Sequence, residues 1–261
     1  MHKRILMASI MVLSACASRG GGSSAQETKP IPETKPTPET KPEPTIVDPI
    51  ARFDVVGNKE ALKDSIVLKA DGKFYYVIDG MELKIGEDSN SLMNTLSYIS
   101  SDNQKKFIVL STRGSAYNYS YMNFGNIFKG DNPTQAQQVG TYFYGVPTTQ
   151  MPVVGQATYK GLLWGNQGDF TDIKLSVDYG NKTIQGSTGG LSTLTQEIVF
   201  AQGNISGNTF SGKTHMVGQE LSTGGSYSGM FFGPKAQELG GITTISPELG
   251  SQKFSFGAKK Q

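Results

Sequence analysis

Few side chains in this sequence have the chemistry that catalysis or metal binding requires. The chain has 261 residues, with one cysteine, Cys16, and two histidines, His2 and His215. A zinc site gathers several Cys, His or carboxylate ligands, and no second histidine or cysteine stands near His215 to complete one. Residues 225–229 spell Gly-x-Ser-x-Gly, but in a predicted antiparallel strand, not at the strained turn after a parallel strand that a hydrolase uses. The sequence therefore predicts no enzyme, no catalytic residue, no metal and no cofactor.

The surroundings of Cys16 point to covalent lipid attachment. Residues 2–4 are positively charged, residues 5–13 are apolar, and small residues then precede the cysteine. This order is typical of a secretory signal peptide, here residues 1–15. The stretch LSAC also resembles the lipobox of bacterial lipoproteins, which implies cleavage after Ala15 and acylation of Cys16, for example with palmitate. An ordinary signal peptide with a chance cysteine is the alternative.

Residues 16–45 are predicted to form a lipidated, proline-rich tether. The repeats ETKPIP, ETKPTP and ETKPEP fill residues 27–44. Proline favours polyproline II over helix or sheet, and such a spacer of roughly 3.1 Å per residue reaches on the order of 50 Å. We expect it to hold a globular domain away from a membrane. Because Ala17 is not the aspartate that commonly retains lipoproteins at the inner membrane, we expect the outer membrane.

Charge and hydropathy argue against two other classes of protein, those that bind nucleic acid and those with a transmembrane helix. The chain has 24 basic and 22 acidic residues, and loss of Lys3 and Arg4 with the signal peptide leaves 22 of each. A neutral mature chain argues against a nucleic-acid partner, whose binding depends on positive charge. No run of 18 apolar residues occurs, so no transmembrane helix is predicted.

From residue 46 onward the pattern predicts an all-β protein. Apolar residues alternate with polar ones between glycine-rich turns, as in residues 173–179, which are followed by a Gly-Asn turn. Residues 151–261 contain about eight predicted strands with short connections. Their ranges are 156–164, 173–179, 182–187, 197–205, 209–217, 226–232, 241–245 and 252–258. Eight antiparallel strands favour a closed, soluble, up-and-down β-barrel, because closure removes exposed strand edges.

Residues 46–150 are predicted to form a smaller β-rich domain that precedes the barrel in the chain. Residues 74–78 and 81–85 read as a hairpin around Asp79-Gly80, and residues 107–111 as another strand. Residues 115–128 read as a strand with Tyr117, Tyr119 and Tyr121 on one face, since side chains alternate with period two. Residues 141–145 add further aromatic surface.

Three stretches resemble one family. They are MPVVGQATYKGLLWG at 151–165, FGPKAQELGG at 232–241 and FSFGAKKQ at 254–261. They resemble the barrel strands of the transferrin-binding-protein and factor-H-binding-protein group of surface lipoproteins. The resemblance implies a "handle" sheet beside the barrel. It also implies a short helical turn containing Ala236 and Glu238, after which Gly240-Gly241 opens the next strand.

The resemblance further implies ligand contacts on the handle or its loops. The candidate ligand-binding residues are Tyr117, Tyr119, Tyr121, Phe124 and Tyr142. Exposed tyrosines suit protein binding, because they give large contact area at low entropy cost. Packing within the sheet is the alternative for the same residues.

The implied function is a surface-exposed outer-membrane lipoprotein of a Gram-negative bacterium that binds a host serum protein. An iron or haem carrier such as transferrin or haemoglobin is the first hypothesis, which would serve iron acquisition. Recruitment of factor H for immune evasion, direct haem binding and a purely structural surface role are the alternatives. Direct haem binding departs from the related pattern, because residues 46–139 contain no histidine and His215 lies in the barrel. The family also implies a translocator partner, the surface lipoprotein assembly modulator.

Overall fold

The computed structural model describes most of the chain from residue 50 onward. The described residues are 50–55, 65–70, 73–78, 81–84, 93–99, 103–112, 118–165, 170–189, 197–218, 224–245 and 253–261. The predicted signal peptide, Cys16, the tether and Tyr117 lie outside them. Strands and turns dominate the described residues, with a single-turn 3-10 helix at Pro133–Gln135 and no α-helix. None of the helical structure described is long and apolar enough to cross a membrane.

The described residues form sixteen strands. In chain order they are β1 (Ile50–Val55), β2 (Ser65–Leu68), β3 (Phe74–Ile78), β4 (Met81–Lys84), β5 (Met93–Ile99), β6 (Lys105–Thr112), β7 (Met122–Gly130), β8 (Gln137–Gly145), β9 (Gln156–Trp164), β10 (Phe170–Asp178), β11 (Thr183–Thr188), β12 (Ile198–Ser206), β13 (Thr209–Met216), β14 (Gly225–Phe232), β15 (Glu238–Thr244) and β16 (Lys253–Lys260).

Strands β1 to β8 form two small sheets. One is five-stranded with the order β1-β8-β7-β6-β5, and we call it the handle sheet. The other is three-stranded with the order β2-β3-β4, and it contains the predicted hairpin of β3 and β4. Neighbouring strands in both sheets are antiparallel.

Strands β9 to β16 close into an eight-stranded antiparallel barrel, which confirms the predicted fold class. Consecutive strands pair with one another, and β16 returns to pair with β9. The predicted boundary at residue 150 falls in the connection between β8 and β9. The described residues on both sides of that connection belong to one compact unit.

Strand alternation explains why the barrel forms. In β10 the side chains of Ile173, Leu175 and Val177 are buried, while Asp172 and the other intervening residues are exposed. The inward side chains fill the barrel with aromatic and aliphatic groups, among them Phe200, Phe210, Tyr227, Phe231 and Phe256. Burial of each such side chain stabilises the fold by about 1.5–3 kcal/mol.

The structure corrects two local predictions. The tyrosines at 119 and 121 are not in a strand, because β7 begins at Met122 and the chain at Asn118 is left-handed with φ 57°. The expected helical turn after β14 is a non-helical turn at residues 233–236. Strand β15 begins at Glu238, so Gly240 and Gly241 lie inside it, not at its start.

Candidate functional site

The handle sheet packs on the outer wall of the barrel through a hydrophobic cluster that we call the junction. It consists of Met122, Phe124 and Phe143 from the handle and Leu162, Trp164, Met230, Phe232 and Ile242 from the barrel. Phe143 and Phe232 meet edge to face, with ring centroids 6.1 Å apart and an interplanar angle of 76°. This geometry is favourable for aromatic pairs. The barrel residues of the junction point outward, so the handle keeps water from them.

Glycines in the barrel wall let the handle approach closely. A Cβ atom on Gly257 would lie 2.5 Å from Cε1 of Phe124, nearer than real Cβ contacts allow. Gly233 is left-handed with φ 73°, and the ring of Tyr121 occupies the place that a side chain there would take. A larger residue at either position would therefore push the handle away from the barrel.

Glu238 holds the chain segment that leads into β7. Its side chain is buried, with 1% of its surface exposed. Oε1 accepts a hydrogen bond from the Ser120 amide at 2.7 Å, and Oε2 accepts from the amides of Tyr121 at 2.8 Å and Met122 at 3.1 Å. Hydrogen bonds to an ionised acceptor are roughly twice as strong as neutral ones. One barrel carboxylate thus fixes three consecutive residues of the handle.

A buried amide makes a second polar connection between handle and barrel. The side-chain amide of Asn126 donates to the carbonyls of Trp164 at 3.1 Å and Gly165 at 2.7 Å. The Ser255 hydroxyl donates to Oδ1 of Asn126 at 3.3 Å. Because buried polar groups are costly when unpaired, these contacts specify one position of the handle on the barrel wall.

The structure places the predicted ligand-binding residues at or near this junction. Tyr119 and Tyr121 are half-buried against it, and the Tyr119 hydroxyl donates to the Gly257 carbonyl at 2.7 Å. Phe124 lies inside the junction, and neither it nor Tyr142 has any exposed surface. Tyr142 points to the opposite face of the handle sheet from Phe143, where it stacks on Tyr144 at 6.2 Å. Only Tyr119 and Tyr121 therefore present surface to a partner among the candidates described.

An open cleft lies beside the junction on the barrel wall, with a volume of about 520 Å³. Phe143, Met230 and Ile242 form its apolar side. Its polar side is built from hydroxyl and amide groups of neighbouring strands, contributed by Asn204, Ser206, Thr209, Ser211 and Ser228. None of these described lining residues is charged. The cleft therefore suits an uncharged stretch of a partner that offers both apolar groups and hydrogen-bonding groups.

Tyrosines close one end of the barrel. The hydroxyls of Tyr159 and Tyr179 lie 2.6 Å apart, and the Tyr159 hydroxyl donates to the carbonyl of Ala236. Burial, and next the hydrogen bond with Tyr179, raise the pKa of Tyr159 far above its ordinary value, so the phenol stays neutral. Lys235 and Ala236 both have φ 57°, a left-handed conformation that costs non-glycine residues roughly 1–2 kcal/mol each. The bond from Tyr159 helps to hold this strained turn.

His215 lies half-buried on β13, opposite Val199 of β12. Its Nδ1 atom is buried and has no hydrogen-bond partner within the described ranges. The described residues contain no group of three or more His, Cys, Asp or Glu side chains placed to hold a metal ion.

The fold and the junction define a class of protein: a closed antiparallel barrel, filled by its own side chains, with a small sheet docked on its wall. Residues 151–260 match the family model described as the C-lobe and N-lobe beta barrels of Tf-binding protein B. The barrel of this chain is thus similar to the barrels of that family, as the sequence motifs predict. The family is one of binding proteins.

Individual relatives agree with this family. Transferrin-binding protein B of Moraxella catarrhalis is 25% identical over an alignment 185 residues long, which covers 59% of this chain and 25% of that protein. The structure of intact Ap-TbpB, with its N and C lobes, matches with a TM-score of 0.50 and 24% identity over 72% of this chain and 41% of that one. The haemoglobin receptor HpuA from Kingella denitrificans matches with a TM-score of 0.53 and 18% identity, over 83% and 88% of the two chains. These structural matches show a shared fold. The chain spans less than half the length of the curated relatives that it matches.

Proposed function

We propose that this protein is a surface lipoprotein of the outer membrane of a Gram-negative bacterium that binds a host carrier of iron or haem. The observation that carries the proposal is the match of residues 151–260 to the barrels of transferrin-binding protein B. A relative named for transferrin binding and a structural neighbour named as a haemoglobin receptor support the same class of partner. The neighbour has also been solved in complex with human haemoglobin, and that structure matches with a TM-score of 0.52 and 17% identity.

The anchor is proposed to be the acylated Cys16. Its lipobox-like surroundings and the proline-rich tether of residues 16–45 support attachment to outer-membrane lipid with the barrel held outside the cell. Export through a surface lipoprotein assembly modulator is part of the proposal. Incorporation of labelled palmitate tests the anchor: wild-type protein takes up the label and Cys16→Ser does not. A wild-type protein without label would remove the anchor from the proposal.

We propose that the host protein contacts the cleft beside the junction, the exposed parts of Tyr119 and Tyr121, and Tyr117. The cleft supports this because it combines apolar and hydrogen-bonding surface, as the cores of protein interfaces do. Phe124 and Tyr142 would support the shape of the binding surface without contacting the partner, since both side chains are fully buried. Burial of a partner loop in the cleft would displace water from its apolar side.

The test measures binding of full-length protein in detergent to human transferrin, haemoglobin and factor H by surface plasmon resonance. We expect saturable binding of transferrin or haemoglobin. Ser228→Arg fills the cleft and is expected to abolish binding, whereas Ser176→Arg changes another exposed serine, on β10 and away from the cleft, and is expected to leave binding intact. Binding of factor H alone, or of none of the three proteins, would overturn the proposal. A Soret band after addition of haem to the isolated protein would instead favour direct haem binding.

A further inference from the structure

Three lysines from adjacent barrel strands lie side by side on the outer wall, and we call them the lysine row. Lys174 of β10 is directly opposite Lys160 of β9, and Lys160 is directly opposite Lys259 of β16. Residues opposite one another in an antiparallel pair have Cβ atoms roughly 4.5–5.5 Å apart and point to the same face. Three positive charges therefore share one small patch of the barrel wall.

The fold does little to compensate this charge. The positive charge of Lys259 is partly compensated, because its ammonium group donates a hydrogen bond to the Asn118 carbonyl and lies 5.9 Å from the centroid of the Tyr119 ring. The ammonium groups of Lys160 and Lys174 have neither an ion pair nor a hydrogen bond within the part of the chain that the structure describes. Like charges placed directly opposite each other destabilise a sheet.

The neighbours of the row supply little negative charge. Beyond Lys174 the next opposed residue is Ser187 of β11, and beyond Lys259 it is Glu238, whose buried carboxylate is occupied by three backbone amides. Two acids stand on the same face of β10 among the described residues. Asp172 lies two residues before Lys174, and Asp178 lies four residues, or roughly 13 Å, after it and accepts hydrogen bonds from Gln156 and Asn181. The three lysines therefore keep an excess of positive charge at the centre of the patch.

The shape around the row favours a macromolecule over a small ligand. Lys160 and Lys174 line a shallow depression of about 500 Å³ together with Ser187, Thr188 and Gly189. Small-molecule sites usually enclose most of their ligand, whereas this depression lies on an open strand surface. The exposed ring of Phe170 stands on the same face of β10, four residues or roughly 13 Å from Lys174. Aromatic residues are enriched at protein-binding surfaces, and nearby cationic groups would attract a partner of opposite charge.

We infer that the outer face of β9 and β10, formed by Lys160, Lys174 and Phe170, docks an acidic segment of a partner protein. The inference rests on the proposed function in that the protein binds another protein, and it adds the chemistry of the contact. Carboxylates of the partner would neutralise the two free ammonium groups, and an apolar side chain next to them would cover Phe170. The repulsion between the lysine ammonium groups in the free protein would thereby be replaced, in the complex, by attraction between these groups and the carboxylates of the partner.

The first test measures whether the lysine row stabilises the folded protein. Lys160→Gln in the full-length protein is expected to raise the thermal midpoint at about 20 mM salt, because it removes like-charge repulsion, and the gain is expected to vanish at about 0.5 M salt, where charges are screened. Lys213→Gln is the matched control, since Lys213 is exposed on β13 opposite Ser226. A lower midpoint for Lys160→Gln would show that the row stabilises the fold and would overturn the inference.

The second test measures docking with a fluorescein-labelled, glutamate-rich peptide and fluorescence anisotropy. At low salt we expect Lys160→Gln/Lys174→Gln to raise the peptide Kd by about tenfold or more, and Lys213→Gln to leave it unchanged. Equal affinity of the double variant and the wild type would refute the inference. Binding of a heparin oligosaccharide without binding of the peptide would also refute it, in favour of an anionic glycan.

The two proposals fail separately. If the peptide binds through the lysine row but no host iron or haem carrier binds the wild type, the docking surface stands and the proposed function falls. If a carrier binds wild type and the double lysine variant equally, the proposed function stands and the docking surface falls.

Discussion

Removal of the Glu238 carboxylate is predicted to loosen the handle from the barrel. The carboxylate accepts from three successive amides, at Ser120, Tyr121 and Met122. In Glu238→Gln the amide oxygen can replace Oε2 and keep the bonds from Tyr121 and Met122. The new NH₂ group then faces the Ser120 amide, a donor against a donor. In Glu238→Ala all three amides lose their acceptor.

The magnitudes follow from burial. A hydrogen bond to a charged group contributes about 1.5–3 kcal/mol, and a buried donor left without a partner costs about 1–3 kcal/mol. Ser120 is exposed, so water can replace its lost bond, whereas the Met122 amide is buried. We therefore expect Glu238→Gln to lower the free energy of unfolding by about 2 kcal/mol and Glu238→Ala by about 4 kcal/mol.

The only tryptophan of the chain, Trp164, lies in the junction and reports on it directly. Urea unfolding is followed by Trp164 fluorescence and by far-ultraviolet circular dichroism. For Glu238→Ala we expect the fluorescence transition to precede the loss of β-structure, because the handle separates first. Glu197→Gln, which changes an exposed acid next to β12, is the control and should stay within about 0.5 kcal/mol of wild type. Wild-type stability of Glu238→Ala, or an equal loss in the control, would refute the reasoning.

Three further predictions concern buried groups. Tyr159→Phe removes the donor to Ala236 and should cost about 1–3 kcal/mol at neutral pH. Because the pKa of Tyr159 in the folded state is raised above its unfolded value of 10.0, the stabilisation that comes from the neutral phenol is fully present below pH 10.0 and is lost as the pH rises further. In alkaline urea titrations we therefore expect the free energy of unfolding of Tyr159→Phe to decline less steeply with pH than that of the wild type. Gly257→Ala should cost about 1–3 kcal/mol by forcing Phe124 aside, whereas Gly180→Ala, at an open turn, should be near neutral in the same denaturation assay. Asn126→Ala leaves two carbonyls without a donor and should shift Trp164 fluorescence of the native state; an unchanged spectrum would argue against the contact.

Local alternation made most of the barrel predictable from the sequence. In β10 and in the hairpin of β12 and β13, one face of each strand contacts the core and the other faces water. The alternation of apolar and polar residues in the sequence therefore predicts both the presence of each strand and the residues where it ends. The start of β15 was not predictable in this way. Its first six residues are all buried, because the handle covers the outer face there, and no polar alternation marks them.

The tyrosine segment shows the limit of a period-two pattern. Spacing of two residues is necessary for one face of a strand but does not require a strand, and the left-handed backbone at Asn118 interrupts it. The ligand-binding role of Tyr117, Tyr119, Tyr121, Phe124 and Tyr142 stays a prediction. What the sequence pattern missed was Glu238, although it stands in the motif that carries the family resemblance.

The sequence by itself determined the fold class, the resemblance of the barrel to a known family and most of the strand order, because alternation, turn chemistry and motifs are local properties of the chain. Only the tertiary structure decided which part of the barrel wall the handle covers and which lysines stand together. Glu238 meets its amide partners across 116 to 118 residues, and the lysine row exists only through the register of β10, β9 and β16. The pair of Lys160 and Lys259 depends on closure of the barrel, which brings β16 back to β9, and the Glu238 contacts depend on docking of the handle on β15. Both join positions that are far apart in the chain.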